Sequence, residues 1–208
     1  MPNSFDIHVD KVKVRLLEGK TLFVVQQLRI PYGSHILIQG ESGSGKTTFL
    51  HMLAGLYSPD EGEVRMGEKV LGTLTESERC EFRRHHIGVI FQKLNILDHL
   101  TAAENVELSA MQGQAALQRV NMSHKAAERC SHMSLGEQQR VAVARVLAQK
   151  ASVILADEPT SSLDETNMQF VMRALKEEAQ GKTLLVVSHD HRIAPFFDKI
   201  IRFDEMVS

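Results

Sequence analysis

The feature that most constrains the fold of this 208-residue chain is a glycine-rich loop between an apolar segment and a helical one. His35–Gln39 is a short apolar run that predicts a buried strand. A helical pattern then follows over Gly45–Ala54. The residues between them have the spacing G-x-x-x-x-G-K-[ST]: Gly40-Glu41-Ser42-Gly43-Ser44-Gly45-Lys46-Thr47. In a strand–loop–helix context this spacing predicts a phosphate-binding loop, and the alternative is a fortuitous glycine-rich turn.

Each residue type in the loop suits a nucleotide phosphate. Glycines let the backbone turn its N–H groups inward, and the helix N-terminus adds partial positive charge. Lys46 is expected to contact the β- and γ-phosphates, Thr47 to ligate Mg²⁺, and Thr48 to contact the α-phosphate. The cofactors predicted are ATP and Mg²⁺, held through Gly40, Ser42, Gly43, Ser44, Gly45, Lys46, Thr47 and Thr48.

A pair of acids ends a second apolar segment. Ser152–Ala156 has the pattern of a buried strand and is followed by Asp157 and Glu158. Ligands collect at the carboxyl ends of strands in open parallel sheets. Asp157 is therefore a candidate Mg²⁺ ligand, and Glu158 is a candidate base for the attacking water. An acidic turn closing a strand is the alternative.

The remaining pattern indicates an α/β fold with a largely parallel sheet, because short apolar runs alternate with helical ones. Between about Lys93 and Lys150 only helices are predicted, and Thr101 and Ser134 each begin a capping box. Further strands are expected at Phe5–Val9, Val12–Leu16, Leu22–Ile30, Glu63–Met66, Ile87–Phe91 and Thr183–Val187.

A second set of motifs resembles a known family. Met133-Ser134-Leu135-Gly136-Glu137-Gln138-Gln139-Arg140 is similar to the L-S-G-G-Q-Q-Q-R signature of ABC ATPases. The family's other motifs occur in order, as Phe91-Gln92, Asp157-Glu158-Pro159-Thr160, Ser162-Leu163-Asp164 and Ser188-His189-Asp190. The resemblance implies a P-loop NTPase sheet core of ABC ATPase type with antiparallel N-terminal strands. It implies a single nucleotide-binding domain, with 1–92 and 151–208 as the core and 93–150 as an inserted helical subdomain.

The resemblance also implies roles for individual residues. Glu158, His189 and Gln92 would be catalytic, with His189 at the γ-phosphate and Gln92 near Mg²⁺ and the attacking water. The metal set would be Thr47, Gln92 and Asp157. Ser134 and Gly136 would meet the γ-phosphate held by an opposite subunit, and Asp164 would communicate across that dimer interface. A simpler reading is that Ser134 and Glu137 only cap their helix.

Several positions depart from the family pattern. Leu135 replaces a glycine, and a left-handed backbone there would cost about 1–2 kcal/mol. Glu137 replaces a glutamine. The position where the family has an adenine-stacking aromatic falls near Leu17, and Phe23 is assigned to the core. Weak discrimination between bases would follow if no other residue stacks on the adenine. The segment between Asn105 and Met133 is also shorter than usual.

The stretch from Arg84 to Glu107 is similar to the branch of lipoprotein-release, macrolide-export and peptide-antibiotic-resistance ATPases. This implies a subunit that hydrolyses ATP as a homo- or heterodimer and drives transmembrane permease subunits. No apolar run reaches the roughly 18–20 residues that span a bilayer. The resemblance implies a cytoplasmic location, on the cytoplasmic face of the inner or plasma membrane through the permease.

Two other functions remain open from the sequence. One is a soluble ABC ATPase acting in DNA or ribosome maintenance, and the other is a degenerate nucleotide-binding regulatory subunit, for which Leu135 is the main support. The net charge of −2 argues against a nucleic-acid partner. The basic cluster at Arg79, Arg83, Arg84, His85 and His86 is predicted to be the solvated face of a helix end.

Overall fold

The computed structural model describes residues 5–16, 18–109 and 113–208. They form two sheets and seven α-helices. The strands are β1 (Ile7–Arg15), β2 (Thr21–Ile30), β3 (His35–Gln39), β4 (Glu61–Met66), β5 (Lys69–Val70), β6 (Ile87–Ile90), β7 (Val153–Asp157), β8 (Thr183–Val187) and β9 (Lys199–Arg202). The helices are α1 (Lys46–Leu53), α2 (Glu76–His86), α3 (Ala102–Glu107), α4 (Gly113–Arg119), α5 (Leu135–Ala148), α6 (Glu165–Glu178) and α7 (Phe203–Met206).

The two sheets differ in direction. One is antiparallel with the order β2-β1-β4-β5, and the other has the order β6-β7-β8-β3-β9 with every pairing parallel. The predicted α/β class with antiparallel N-terminal strands is therefore confirmed. Within the described residues no helix is long and apolar enough to cross a bilayer.

The prediction of two separate strands at Phe5–Val9 and Val12–Leu16 was wrong. A single strand, β1, runs through most of both segments, from Ile7 to Arg15, and its pairing with β4 shifts register between Asp10 and Lys13. Lys11 at this bulge has a φ of 49°. An inserted residue disturbs the alternation of buried and exposed side chains without ending the strand, and the sequence pattern therefore resembled a break.

The parallel sheet lies between two apolar layers. Alternate residues of β8 face opposite sides, with Leu184 and Val186 packing towards α5 and α6 and Leu185 and Val187 towards α1 and the antiparallel sheet. Every residue of β7 and β8 is buried. This burial on both faces explains their continuous apolar sequences and fixes the loops that leave their carboxyl ends.

Residues 93–150 carry α3, α4 and α5, and among those described the only β-type pairing is an isolated bridge between Thr101 and Arg129. Both predicted capping boxes are present, at Thr101 and at Ser134. Asn105 is fully buried and donates to the carbonyls of Leu97 and Thr101, each at 3.0 Å. These bonds fix the connection that enters this helical segment.

The basic cluster lies on α2, which buries none of its side chains. Arg79 and Arg83 pair with Glu76, and Arg84 pairs with Glu81. Its charges are therefore largely balanced within the helix. The predicted solvated face describes Arg84 and His85 but not Arg79 and Arg83, whose side chains are 18% exposed and donate to Ser58 and to the Gly55 carbonyl.

Candidate functional site

A cleft of about 330 Å³ opens at the carboxyl ends of four adjacent parallel strands, β6, β7, β8 and β3. It brings together residues from all four of the loops that follow these strands. Its lining comprises Leu16, Leu22, Ser42, Gly43, Gly45, Lys46, Thr47, Thr48, Gln92, Asp157, Glu158 and His189. A different cavity, of about 290 Å³ beside Tyr57 and Arg79, contains none of the predicted site residues.

The phosphate loop (residues 40–47) depends on glycine at two points. Gly43 and Gly45 have φ values of 79° and 103°, which side-chain-bearing residues rarely adopt. A Cβ on Gly45 would also lie 2.8 Å from the Phe23 ring. Lys46 is 7% exposed, and its Nζ donates to the Glu41 carbonyl and to Ser44 Oγ. The loop therefore holds a buried ammonium group against its own backbone.

The N-terminus of α1 has no side-chain cap. Its N-cap, Gly45, has no side chain to accept a hydrogen bond, and the first turn contains no acid. By contrast, α2, α3 and α5 all have capping boxes. The first N–H groups of α1 consequently keep their donors and partial positive charge for an anion.

Asp157 is a buried carboxylate at the end of β7. It is 1% exposed, and among the described residues neither carboxylate oxygen has a hydrogen-bond partner. Burial raises its pKa, an effect partly offset by the nearby Thr47 hydroxyl. An unpaired buried carboxylate beside a hydroxyl fits a hard cation such as Mg²⁺.

The protein supplies few ligands for such a cation. No group of three or more His, Cys, Asp or Glu side chains in the described part of the chain could hold a metal ion. Mg²⁺ typically combines one or two carboxylates with substrate phosphates and water. The site residues therefore fit Mg²⁺ that arrives with a nucleotide.

Glu158 follows Asp157 in a strained backbone conformation. Its φ of 50° lies in the left-handed region, which costs a non-glycine residue about 1–2 kcal/mol. Its carboxylate is 6% exposed and accepts hydrogen bonds from Ser188 Oγ at 2.6 Å and from the His189 backbone N–H at 3.0 Å. His189 Nδ1 lies 2.6 Å from the same carboxylate. The carboxylate is thus oriented from β8.

Gln92 and His189 complete the polar lining of the cleft. Gln92 follows β6 and is exposed, while the His189 side chain is 71% exposed above Glu158. Both side chains are therefore accessible to a ligand in the cleft. The predicted catalytic residues Glu158, His189 and Gln92 all line it.

Two contributors to the site had no predicted role of their own. Ser188 donates to Glu158, and Gln139 of α5 donates to the Glu158 carbonyl at 2.8 Å. Ser188 adjoins His189 in sequence, so its position in a recognised motif was the available signal. Gln139 lies in the signature segment, but its contact joins residues 19 positions apart.

The signature residues lie outside the cleft. Ser134 is the N-cap of α5, accepting from the Glu137 N–H at 3.3 Å, and Asp164 is the N-cap of α6. A Cβ on Gly136 would lie 2.9 Å from the Ser162 carbonyl oxygen. The cleft of one chain therefore brings together the predicted site residues except five: Gly40 and Ser44, which belong to the phosphate loop but do not line the cleft, and Ser134, Gly136 and Asp164.

The expected strain at Leu135 does not occur. Leu135 is the first residue of α5 and has a right-handed conformation, since it is absent from the positive-φ positions of the chain. Its side chain is 61% exposed. The helix begins at this residue, so the backbone does not require glycine here.

The apolar part of the cleft lining is aliphatic. Leu16 and Leu22 line it, and no Phe or Tyr from the described residues does so. Phe23 is 1% exposed and contacts Phe49 and Phe203, which confirms its assignment to the core. The position near Leu17 lies outside the described residues.

Glu137 is held as a carboxylate. Its hydrogen bond with Lys125, at 2.9 Å, and the Ser134 N–H, at 2.8 Å, lower the pKa of Glu137 to about 2. A depressed folded-state pKa stabilises the protein above the unfolded pKa. That contribution is lost as the pH falls through 4.5 towards about 2.

We expect Glu137→Gln to remove this pH-dependent contribution, which is about 1–3 kcal/mol at neutral pH. Urea unfolding of both proteins between about pH 7 and about pH 3 measures it. The difference in unfolding free energy should shrink as the pH falls. Parallel profiles for the two proteins would contradict this prediction.

Comparison with known proteins gives a consistent result. A family model described as ABC transporter matches residues 25–161. The macrolide export ATP-binding/permease protein MacB of Burkholderia thailandensis is 40% identical over 190 residues, which cover 86% of this chain and 29% of that protein. The probable syringafactin export ATP-binding/permease protein SyfD of Pseudomonas syringae pv. syringae is 36% identical over 210 residues, covering 94% and 32%.

The chain thus spans about a third of the length of these curated relatives. Among solved structures, the ATP-binding cassette MJ0796, in a dimeric post-hydrolysis state bound to ADP and Pi, has a TM-score of 0.88 and 35% sequence identity. The match covers 94% of this chain and 93% of that one. Neither the relatives nor this structure supports a role in DNA or ribosome maintenance.

Proposed function

Because this chain belongs to the ABC transporter family, we propose that its cleft binds and hydrolyses Mg·ATP and that turnover drives permease partners in a membrane. The observation that carries the proposal is the cleft itself. It combines an uncapped helix N-terminus, a buried lysine, an unpaired aspartate and a strained glutamate at four adjacent strand ends. This arrangement supplies anion binding, cation binding and a base within one site.

The phosphate loop would hold the triphosphate. Lys46 would exchange its bonds with the loop for bonds with the β- and γ-phosphates, and the α1 N–H groups would face the same charge. Thr47, Asp157 and Gln92 would hold Mg²⁺, which would supply positive charge against the phosphates. The full set proposed for the nucleotide is Gly40, Ser42, Gly43, Ser44, Gly45, Lys46, Thr47 and Thr48.

Glu158 would act as the general base. Its carboxylate lines the cleft, and Ser188 and the His189 N–H fix its direction. His189, exposed above it, would contact the γ-phosphate, and Gln92 would orient the attacking water. Charge stabilisation and positioning of the water would then supply most of the rate enhancement.

A second subunit would complete the site. Ser134, Gly136 and Asp164 do not line this chain's own cleft, and α5 begins at an exposed Ser134. In a head-to-tail pair the start of α5 would meet the other subunit's γ-phosphate, with Asp164 at the interface. The dimeric state of MJ0796 supports such a pair. Either a homodimer or a heterodimer satisfies this geometry.

Export or extraction is the proposed direction of work. The support is the similarity to the ATP-binding portions of MacB and SyfD, whose names describe export. In this proposal residues 1–92 and 151–208 form the catalytic core and residues 93–150 form the inserted lobe. The protein would act on the cytoplasmic face of the membrane through its permease.

The test is phosphate release by the purified protein with Mg·ATP, repeated with excess EDTA. We expect the turnover number not to exceed about 100 s⁻¹. We also expect turnover to be lost when EDTA removes Mg²⁺, because Asp157 and Thr47 supply too few ligands to retain the ion alone. Equal turnover with and without EDTA would contradict the metal assignment. Co-purification with a permease encoded beside this chain would test the coupling separately.

A further inference from the structure

Gln139 connects the signature helix to the catalytic segment of the same chain. It lies on α5, is 2% exposed and faces the loop that follows β7. Its Nε2 donates to the Glu158 carbonyl at 2.8 Å, and its Oε1 accepts from the Ser162 N–H at 3.1 Å. One side-chain amide therefore fixes both ends of the segment 158–162.

This segment starts at the strained residue. A left-handed conformation persists in a non-glycine residue only where its surroundings determine it. The Glu158 N–H donates to the Val187 carbonyl at 2.9 Å, which ties one side of the residue to β8. The Glu158 carbonyl on the other side is tied to α5 by Gln139. The direction of the Glu158 side chain is therefore defined between a strand and the signature helix.

A second contact independently joins α5 to the same segment. The Cα of Gly136 approaches the Ser162 carbonyl so closely that an added Cβ would lie 2.9 Å from its oxygen. Ser134, Gly136 and Gln139 all lie within the first two turns of α5. A displacement of these turns would therefore be transmitted to residues 158–162 through packing and through the two hydrogen bonds.

We propose that Gln139 is a positioning residue that couples the start of α5 to the direction of the Glu158 carboxylate. This inference rests on the proposed role of Glu158. When the partner's nucleotide engages Ser134, the shift of α5 is passed through Gln139 to the base in the same chain. A purely structural Gln139 would instead do no more than satisfy two buried backbone groups.

The matched control is Gln149, at the other end of α5. Its Nε2 also donates to backbone carbonyls, those of Arg84 at 3.1 Å and Ile87 at 3.3 Å, and it does not line the cleft. Gln139→Met and Gln149→Met each remove a side-chain amide that bonds to backbone, with little change in volume. Only the first change affects Glu158.

We expect Gln139→Met to lower kcat by about 10–100-fold, because a misplacement of about 1 Å can cost about 100-fold. The Kd for ATP should stay within about threefold, since the phosphate loop is untouched. Gln149→Met should keep kcat within about twofold. In a Glu158→Gln background, measured by single turnover, Gln139→Met should cause no further loss, because it acts through Glu158.

The inference is overturned if Gln139→Met and Gln149→Met have equal turnover, or if the Gln139→Met loss persists in the Glu158→Gln background. Should Gln139→Met fail to fold, Gln139→Glu keeps the size and the acceptor for Ser162 but opposes the Glu158 carbonyl. Full turnover of that variant would overturn the inference, and the same separation of kcat from Kd would support it. An inactive wild-type protein would instead overturn the proposed function itself.

Discussion

Glu158→Gln is expected to lower ATP turnover by about 10²–10⁴-fold, the range for loss of a general base. Glutamine has nearly the same shape, and its side-chain oxygen can still accept from Ser188 Oγ and the His189 N–H. It cannot take a proton from the attacking water at neutral pH. ATP binding should be retained because the phosphate loop is unchanged. Steady-state phosphate release and equilibrium ATP binding measure the two effects.

The same variant should accumulate as a nucleotide-bound dimer. If ATP hydrolysis is what separates the two subunits, a variant without the base cannot hydrolyse ATP and should remain a closed dimer. Sedimentation with and without Mg·ATP should detect this dimer. Glu68→Gln, at an exposed position outside the cleft, is the control and should behave as wild type. Near-normal turnover of Glu158→Gln would remove Glu158 from the role of base.

The phosphate loop and the Asp157–Glu158 pair were predictable because their information is local. Each is a contiguous motif that follows a buried parallel strand, and such strands deliver their carboxyl ends to one edge of the sheet. The cleft at β3, β6, β7 and β8 confirms that inference. Gln92 and His189 were predicted from the family resemblance, and both also follow strands that end at this edge.

Other features depend on contacts that no local pattern records. The bond from Gln139 to Glu158 and the bond from Ser188 to Glu158 join residues 19 and 30 positions apart. Leu135 was expected to be strained if its position, a glycine in the family pattern, required a left-handed backbone. Because Ser134 is the N-cap, α5 begins at Leu135, and the helical backbone there does not require glycine. The family pattern thus indicated glycine at position 135, but the start of α5 at this position means that leucine causes no backbone strain.

Strand β9 could not be predicted from the sequence for a different reason. It covers only four residues, Lys199–Arg202, and lies at the edge of the parallel sheet with three of the four exposed. Burial on both faces produces a continuous apolar run only in the interior of a sheet. An exposed edge strand with charged ends has no such pattern, and it is defined by its pairing with β3.

Lys46→Ala is expected to weaken ATP binding by about 30-fold or more, which corresponds to at least about 2 kcal/mol. The Lys46 ammonium group is almost completely buried and bonds only to Glu41 and Ser44 among the described residues. The nearest acidic influence is Asp157, whose pKa the Lys46 charge lowers slightly against the effect of burial. Its charge is therefore available to the phosphates. Isothermal titration with Mg·ATP measures the loss.

The comparison with ADP makes this prediction specific. If Lys46 contacts the β- and γ-phosphates, its removal should weaken ATP binding more than ADP binding, whereas a general disturbance of the cleft would weaken both alike. Lys199→Ala, an exposed lysine on β9, is the control and should bind both nucleotides normally. Unchanged ATP affinity in Lys46→Ala would mean that the loop does not hold the phosphates. The roles proposed for Asp157 and Glu158 in ATP hydrolysis would then have no support.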